Sequence, residues 1–387
     1  MIFKKASKVL LPSGFRDLLP PDAEREADSN RQLMDLFSSF GYQRVKPPLI
    51  EFEETLVSGA GISTSQETFR VMDPISQTML GIRTDITVQV ARIANGSMVN
   101  SPRPLRLCYS GEIIRVTENQ LRPERQLCQT GLELVGSESV AADVEVIKLG
   151  VESLKLLGVE DVTVCMTIPT LIPKIIEKFN FSKKLISELN VALERKDLSA
   201  IKPLVGNAYP VFKKLITSVG LFSEVSESLR AIEIPAEARK ELISLIESAT
   251  ALQKVISGAQ IVIDPVEKKG FEYQCGVSFS FLAKGSKREL GFGGRYMTGL
   301  DQEDSKKPEP STGLTFFMDT ILDVLPKKND PKTLYVPFGT PDKEFKRYLN
   351  SEWRIIRGLT KEKDINSEAK KLNCSYILKN NKTTAIS

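Results

Sequence analysis

The sequence predicts an α+β fold: an antiparallel sheet flanked by helices, interrupted by a helical insertion and followed by a small, truncated α/β module. Three observations predict it. Strand-like runs around 43–52, 68–73, 79–83, 105–115 and 125–135 are separated by turns rather than by regular helices, which argues for antiparallel pairing. Residues 169–255 hold several short amphipathic helices and almost no strand signal. Beyond the stretch "PKKNDPKT", a linker by composition, short segments alternate strand, helix, strand, helix, strand.

Taken in order, "PPDAEREADSNRQLMDLFSSFGY" reads as the first helix. Asp22 serves as N-cap, Leu33, Leu36, Phe37 and Phe40 form an apolar stripe, and Gly41 ends it. The run 105–115, "LRLCYSGEIIR", is expected to pair with 125–135 across a charged loop. A second helix spans 139–157, with Val144, Ile147, Val151 and Leu154 at helical spacing and Gly158 closing it. The strand "DVTVCMTI" precedes the helical block. Strands return at 259–265 and 271–283, "LGFGGRYMTGL" marks a tight turn or a close backbone approach, and a helix is expected over 312–325. Domain boundaries follow: a core over 1–325 containing the insertion 169–255, a linker 326–333, and a small α/β domain over 334–387.

Composition narrows the chemistry. The chain of 387 residues contains no histidine, which excludes a Ser-His-Asp triad, a Cys-His pair and a His-bearing zinc site. The absence fits either chance or a chain that must be made when histidine is scarce. Five cysteines stand singly with no CxxC pair, as expected for reduced thiols in a cytoplasm. No run approaches the ~18 apolar residues that span a bilayer, and the opening segment lacks the apolar core of a signal peptide. Residues 331–387 carry 12 Lys and Arg against 6 Asp and Glu, so this tail holds +6 of the net +4 and the remainder −2. Such a tail is either a basic solvated surface or an RNA contact.

The informative stretch is "RQLCQTGLE". Alternation puts Arg125, Leu127, Gln129, Gly131 and Glu133 on one face of a strand, so that three long polar groups share a face with a glycine. Either that face meets solvent or it lines a polar pocket. The partner run offers Leu107, Tyr109, Gly111, Ile113 and Arg115, a second glycine gap with a charge beside it. Arg115 can fork onto a carboxylate or phosphate, while Gln129 and Glu133 can receive an amine or ring N–H, a combination that suits a zwitterionic amino acid. Upstream, Arg83, Asp85 and Thr87 recur at strand spacing; Asp85 either holds an ammonium or caps the helical run that follows. "GFGGRY" is not GxGxxG and no GK[ST] follows, so no nucleotide loop is read. We expect neither a metal nor a cofactor.

Together these segments resemble the histidyl-tRNA synthetase family, a class II synthetase core, in order through about 12–325. "LPSGFRDLLP" is similar to that family's opening motif and "VKPPLIEF" to its first dimer-interface motif. "RTDIT" stands where the family has R-P-E-x-T, and "YSGEIIR" with "RQLCQTGLELVG" matches its second motif. The resemblance implies an amino-acid pocket around Asp85, Thr87, Arg115, Gln129, Glu133 and Tyr273. It also exposes departures. The histidine-specific R-G-L-D-Y-Y is here Lys269, Gly270, Phe271, Glu272, Tyr273, Gln274, so the catalytic arginine is Lys269 and the second tyrosine Gln274. The nucleotide-facing glutamate is Thr117, the G-G-R-Y-D aspartate is Met297, and the ATP-binding arginine of the third motif is Thr320. The tail corresponds to about half of an anticodon domain.

Loss of one preorganised donor typically costs about 10²–10³ in rate, so the resemblance implies a chain without catalysis of its own and without tRNA as a partner. It is similar to the branch formed by regulatory subunits of ATP phosphoribosyltransferase. Membership there would imply activation of the short-form catalytic chain (HisG), a self-dimer within a hetero-octamer, and a part in histidine feedback on the first step of histidine biosynthesis. Histidine would be read in this pocket, on the catalytic chain or at their interface. The competing readings are a divergent histidyl-tRNA synthetase-like enzyme, supported by Arg115, Gln129 and Glu133, and an RNA-binding adaptor, supported by the basic tail alone.

Overall fold

The computed structural model describes residues 10–57, 65–116, 123–179, 181–267, 274–299, 308–326, 332–349 and 352–386. Two units emerge, Met1–Leu325 and Pro326–Ser387. The first contains twelve of the strands labelled below. In chain order these are β1 (Gln43–Arg44), β2 (Ile50–Phe52), β3 (Phe69–Met72), β4 (Met79–Ile82), β5 (Leu105–Ile114) and β6 (Gln126–Val135). They continue with β7 (Val162–Thr167), β8 (Gly220–Leu221), β9 (Ala259–Ile263), β10 (Ser278–Ala283), β11 (Gly291–Thr298) and β12 (Glu309–Phe317). Nine of them form one sheet in the order β1-β5-β6-β12-β11-β10-β7-β9-β8, while β2, β4 and β3 form a small sheet beside it. All pairs in the large sheet are antiparallel except β1 with β5 and β7 with β9. The expected α+β class is the one found.

The expected pairing of 105–115 with 125–135 is observed, with Gly111 opposite Gln129 and Tyr109 opposite Gly131. The first helix runs Asp22–Ser39, and Asp22 is its first residue rather than its cap; the carboxylate pairs with Arg25 at 2.9 Å instead. Ser139 caps the helix Val140–Leu156 by accepting from the Ala142 N–H. The parallel pairing of β7 with β9 explains the helical block, because parallel neighbours need a long crossover. That crossover holds six α-helices between Leu171 and Gln253 and lends β8 to the sheet edge, so it shares the main core rather than standing apart.

One segment differs from expectation, and a second takes the latter of its two alternatives. The run 312–325 is not one helix: β12 occupies Glu309–Phe317 and a helix covers only Met318–Val324. Ser311–Phe317 is buried on both faces, which erases the period of two that marks a strand in sequence. "GFGGRY" is the body of β11 rather than a turn, and its glycines serve close backbone approach. A Cβ on Gly291 would collide with the Thr315 carbonyl, and one on Gly293 with that of Gly313.

Helices Asp22–Ser39, Val140–Leu156 and Met318–Val324 bury one face of the sheet through Leu33, Phe37, Val146, Ile147, Phe281 and Phe316. On the other face, the helix Thr87–Asn95 packs Ile86, Val90 and Ala94 onto Leu107, Tyr109, Ile113 and Phe317. Arg103 ties that helix down. Its guanidinium forks onto Glu309 (2.8–3.0 Å) and also donates to the carbonyls of Ala94, Met98 and Ser101. Charge-assisted bonds of this kind contribute about 1.5–3 kcal/mol each when their partners are half-buried. Arg103→Ala is therefore expected to lower the unfolding free energy by about 2 kcal/mol or more in urea denaturation. Arg103→Lys should recover less than half, because lysine lacks the fork.

In the second unit, β13 (Lys332–Val336), β14 (Trp353–Arg357) and β15 (Tyr376–Lys379) are parallel, and β16 (Lys382–Ala385) returns antiparallel to β15. Strand β16 is absent from the sequence reading; its turn, Asn380 and Asn381 at φ 48° and 59°, is the asparagine form of a two-residue hairpin. β13 starts at Lys332, inside the expected linker, of which 327–331 lie outside the described residues. Trp353 packs edge-on against Tyr348 and Tyr376, and these half-buried aromatics lie against a core of Leu334, Val336, Phe345 and Leu378. Among the described residues no helix is long and apolar enough to cross a membrane.

Candidate functional site

Register places the site. Residues directly opposite in antiparallel strands share a face, so Tyr109, Gly131, Glu133, Gly313, Thr315 and Gly294 project from the same side of β5, β6, β12 and β11. Tyr296, two residues beyond Gly294, joins them. Thr87, Glu133, Gln274, Phe292, Gly294 and Tyr296 are among the residues lining a cleft there.

Glu133 is at its centre and only 1% exposed. Tyr296 donates to Oε2 at 2.9 Å, and Tyr109 to Oε1 at 3.3 Å. The Tyr109 hydroxyl also meets Thr315 Oγ1 at 2.6 Å and Thr87 Oγ1 at 3.2 Å, so a chain of hydroxyls holds the carboxyl in place. Among the described residues no lysine or arginine pairs with it. Burial pushes the Glu133 carboxyl up to about 8; the Tyr296 hydrogen bond opposes this and the charge of Asp85 adds to it. Burial likewise drives the Tyr109 hydroxyl far above its usual range. Near neutrality Glu133 can therefore either donate or accept, and a cationic or N–H-bearing ligand would favour the ionised form.

The polar face of β6 is thus buried, not solvated. Gln129 is fully buried; the Ile86 N–H donates to its Oε1 at 3.0 Å, leaving Nε2 with no partner among the described residues. The glycine gaps of β5 and β6 are not open to a ligand as the sequence reading had them. A Cβ on Gly131 would meet the Tyr109 hydroxyl at 2.5 Å, and one on Gly111 would collide with the Arg83 guanidinium. Arg83 is spent on structure, donating to the carbonyls of Glu112 and Pro47. Asp85, half-buried one residue before the N-cap Ile86 of the helix Thr87–Asn95, accepts the Thr87 N–H at 2.7 Å. Arg115 lies just past the end of β5, with its guanidinium 6.0 Å from the ring of Phe317, the register partner of Gln129. Glu67, 3.6 Å away, shares its charge.

Tyr273, Lys269 and Thr117 lie outside the described residues. Of the other departures from the synthetase motifs, Thr320 is wholly buried and donates to Asp319 at 3.4 Å, and Met297 lies in β11 opposite Pro310. Gln274 is in the cleft itself. Sequence reasoning missed Tyr109, Tyr296 and Thr315 as supports for Glu133; the signal was Tyr109 two positions from Gly111 on the face already singled out. On the opposite face, Glu26, Glu112 and Cys128 bring ligand atoms within 4.8 Å of one another. Burial, then Glu112 and Asp319, push Glu26 up to about 7, and burial pushes the Cys128 thiol up to about 12.

The chain is of the histidyl-tRNA synthetase type: the family model described as histidyl-tRNA synthetase matches residues 14–321, which include the strands of the large sheet and the buried Glu133. A solved structure titled ATP phosphoribosyltransferase regulatory subunit/histidyl-tRNA synthetase, from Bacillus halodurans, has the same fold (TM-score 0.79, 20% identity, 95% of this chain and 97% of that one). Curated relatives refine the class. The ATP phosphoribosyltransferase regulatory subunit of Rhodospirillum centenum is 43% identical over 96% of this chain and 95% of its own length. That of Paramagnetospirillum magneticum is 42% identical over 97% of each. The chain belongs to the family of ATP phosphoribosyltransferase regulatory subunits.

Proposed function

We propose that this chain is a non-catalytic subunit that activates the short-form catalytic subunit of ATP phosphoribosyltransferase and takes part in histidine feedback by binding free histidine in the Glu133 pocket. The observation that carries this reading is the contrast within one fold. A buried carboxyl held by two tyrosines is present, while the family's nucleotide-facing glutamate is here Thr117, its ATP-binding arginine Thr320 and its catalytic arginine Lys269. Two missing arginines and a missing carboxylate leave too little to stabilise adenylate formation, since one such donor alone contributes about 10²–10³ in rate. A ligand pocket without those groups suits a sensor. Asp85, Thr87, Arg115, Gln129, Glu133 and Tyr273 are its proposed contacts.

Regulation requires histidine to bind two states of the complex with different affinity. The proposed assembly is a cytoplasmic hetero-octamer in which this chain self-dimerises, with no tRNA partner. The test is the rate of phosphoribosyl-ATP formation by the short-form catalytic subunit with and without this chain. Several-fold activation, reversed by histidine, is expected. Absence of activation together with histidine-dependent exchange between ATP and pyrophosphate would instead establish a divergent synthetase.

A further inference from the structure

We propose that Arg125 is a positioning residue for Arg115: it holds the backbone of Arg115 so that the Arg115 guanidinium presents its fork to the carboxylate of the bound amino acid. This deepens the histidine-sensing reading and rests on it. By alternation in sequence Arg125 shares the polar face of Gln129 and Glu133; in the structure its side chain serves the end of the neighbouring strand.

The last regular pair of β5 and β6 is Ile114 with Gln126, so Arg115 and Arg125 face each other one step beyond the ladder. Both peptide groups of Arg115 are nevertheless held, and both by Arg125. The Arg115 N–H donates to the Arg125 carbonyl at 2.8 Å, and Arg125 Nε donates to the Arg115 carbonyl at 3.1 Å. Two further segments close around Arg125. Its Nη1 donates to the Ser13 carbonyl at 3.3 Å, and its backbone N–H to that of Gly14 at 2.8 Å. Its guanidinium lies over the rings of Phe15 and Phe69, 5.1 and 4.8 Å from their centroids, within cation–π reach. Gly14, at φ 76°, leaves space for the stem, since a Cβ there would meet Arg125 Cγ at 2.5 Å. Among the described residues no carboxylate pairs with Arg125; its charge meets carbonyls and ring faces.

Arg115 is left with an unspent fork. Its Nε reaches the Thr84 carbonyl at 3.5 Å and Glu67 at 3.6 Å, while its two terminal nitrogens have no hydrogen-bond partner among the described residues. Alternation puts it on the face of Tyr109 and Gly111, and its guanidinium lies beside Phe317, the register partner of Gln129. A planar bidentate contact with a carboxylate depends on the angle of that fork. Binding groups of this kind work within about 0.5 Å and 10–20° of the productive geometry. Held peptide groups supply that precision where the charged loop begins. Glu67 rests on the same support, because its carbonyl accepts the Val116 N–H at 2.8 Å and Phe69 follows it two residues later.

The test is calorimetric titration of the full chain with L-histidine and with L-histidinol, in which a hydroxymethyl group replaces the carboxylate. Wild type is expected to bind histidine at least about tenfold more tightly than histidinol. In Arg125→Lys, which keeps the charge without the planar fork, histidine should weaken about tenfold while histidinol is unchanged. In Arg115→Ala the two ligands should bind alike, and adding Arg125→Lys should alter neither. Should Arg125→Lys fail to fold, Phe69→Leu, which takes one ring from the guanidinium, is read in its place, with the same selective loss expected. Equal weakening of both ligands, or no loss for histidine, would overturn the positioning role and leave the histidine reading standing. So would wild-type protein that binds the two ligands alike. Wild-type protein that binds neither would overturn that reading itself, and this inference with it.

Discussion

Gly313→Ala is expected to abolish ligand binding at the Glu133 pocket and to lower the unfolding free energy by about 1–3 kcal/mol. The added methyl would occupy the position of Glu133 Oε2. Gly313 cannot shift away, because β12 is held by ladders on both sides, to Glu133 in β6 and to Gly294 in β11. The carboxyl must therefore leave Tyr296 and Tyr109 and remain buried without them. A double-mutant cycle isolates this cause. In a Glu133→Ala background the methyl has space, so the penalty of Gly313→Ala should shrink by more than half in urea denaturation. An unchanged penalty would mean that the collision with Glu133 is not its source.

Glu133→Gln should change the pH dependence of stability, and the sign follows from the raised pKa. The folded-state value of about 8 lies above the ordinary 4.5. Below pH 4.5 the carboxyl is protonated in both states. Between 4.5 and 8 the unfolded chain has released the proton that the folded protein still holds, so stability falls as pH rises, by up to about 1.4 kcal/mol per pH unit. Above 8 this contribution is level. The glutamine variant does not titrate, so its stability relative to wild type should rise by on the order of 3 kcal/mol between pH 5 and 8. Urea midpoints of both proteins at pH 5, 6.5 and 8 measure it; a constant difference would place the Glu133 carboxyl in its ordinary range.

The parts of the fold that were legible in sequence are those where one physical signal dominates. Strands β5 and β6 are ten residues each and flank a charged loop, and the helix Val140–Leu156 has both a cap and a closing glycine. Strand β12 was hidden because both its faces are buried, which leaves only an apolar run that a helix would show equally well. That one misreading removed Gly313 and Thr315 from view, and with them the reason why Glu133 is confined. Gln129 and Glu133 were visible as polar groups at alternate positions. Tyr109 and Tyr296 were not, since a tyrosine among apolar residues reads as core until its hydroxyl is seen to reach a partner. Arg115 was recognisable as a cation, but its neighbour Glu67 arrives from a separate segment that spacing cannot align.

The register of β6 against β12 also dictates an order of assembly. Glu133 and Gly313 are 180 residues apart in the chain, with the whole helical crossover between them. Strand β5 closes onto β6 through a short loop, so that hairpin can form early at low entropic cost, whereas β12 must await the closure of a far longer one. Until β12 docks, Glu133 faces water as an ordinary carboxylate. The step that completes the sheet is then also the step that buries Glu133 and takes a proton from solvent, so folding near neutral pH should consume a proton when β12 docks.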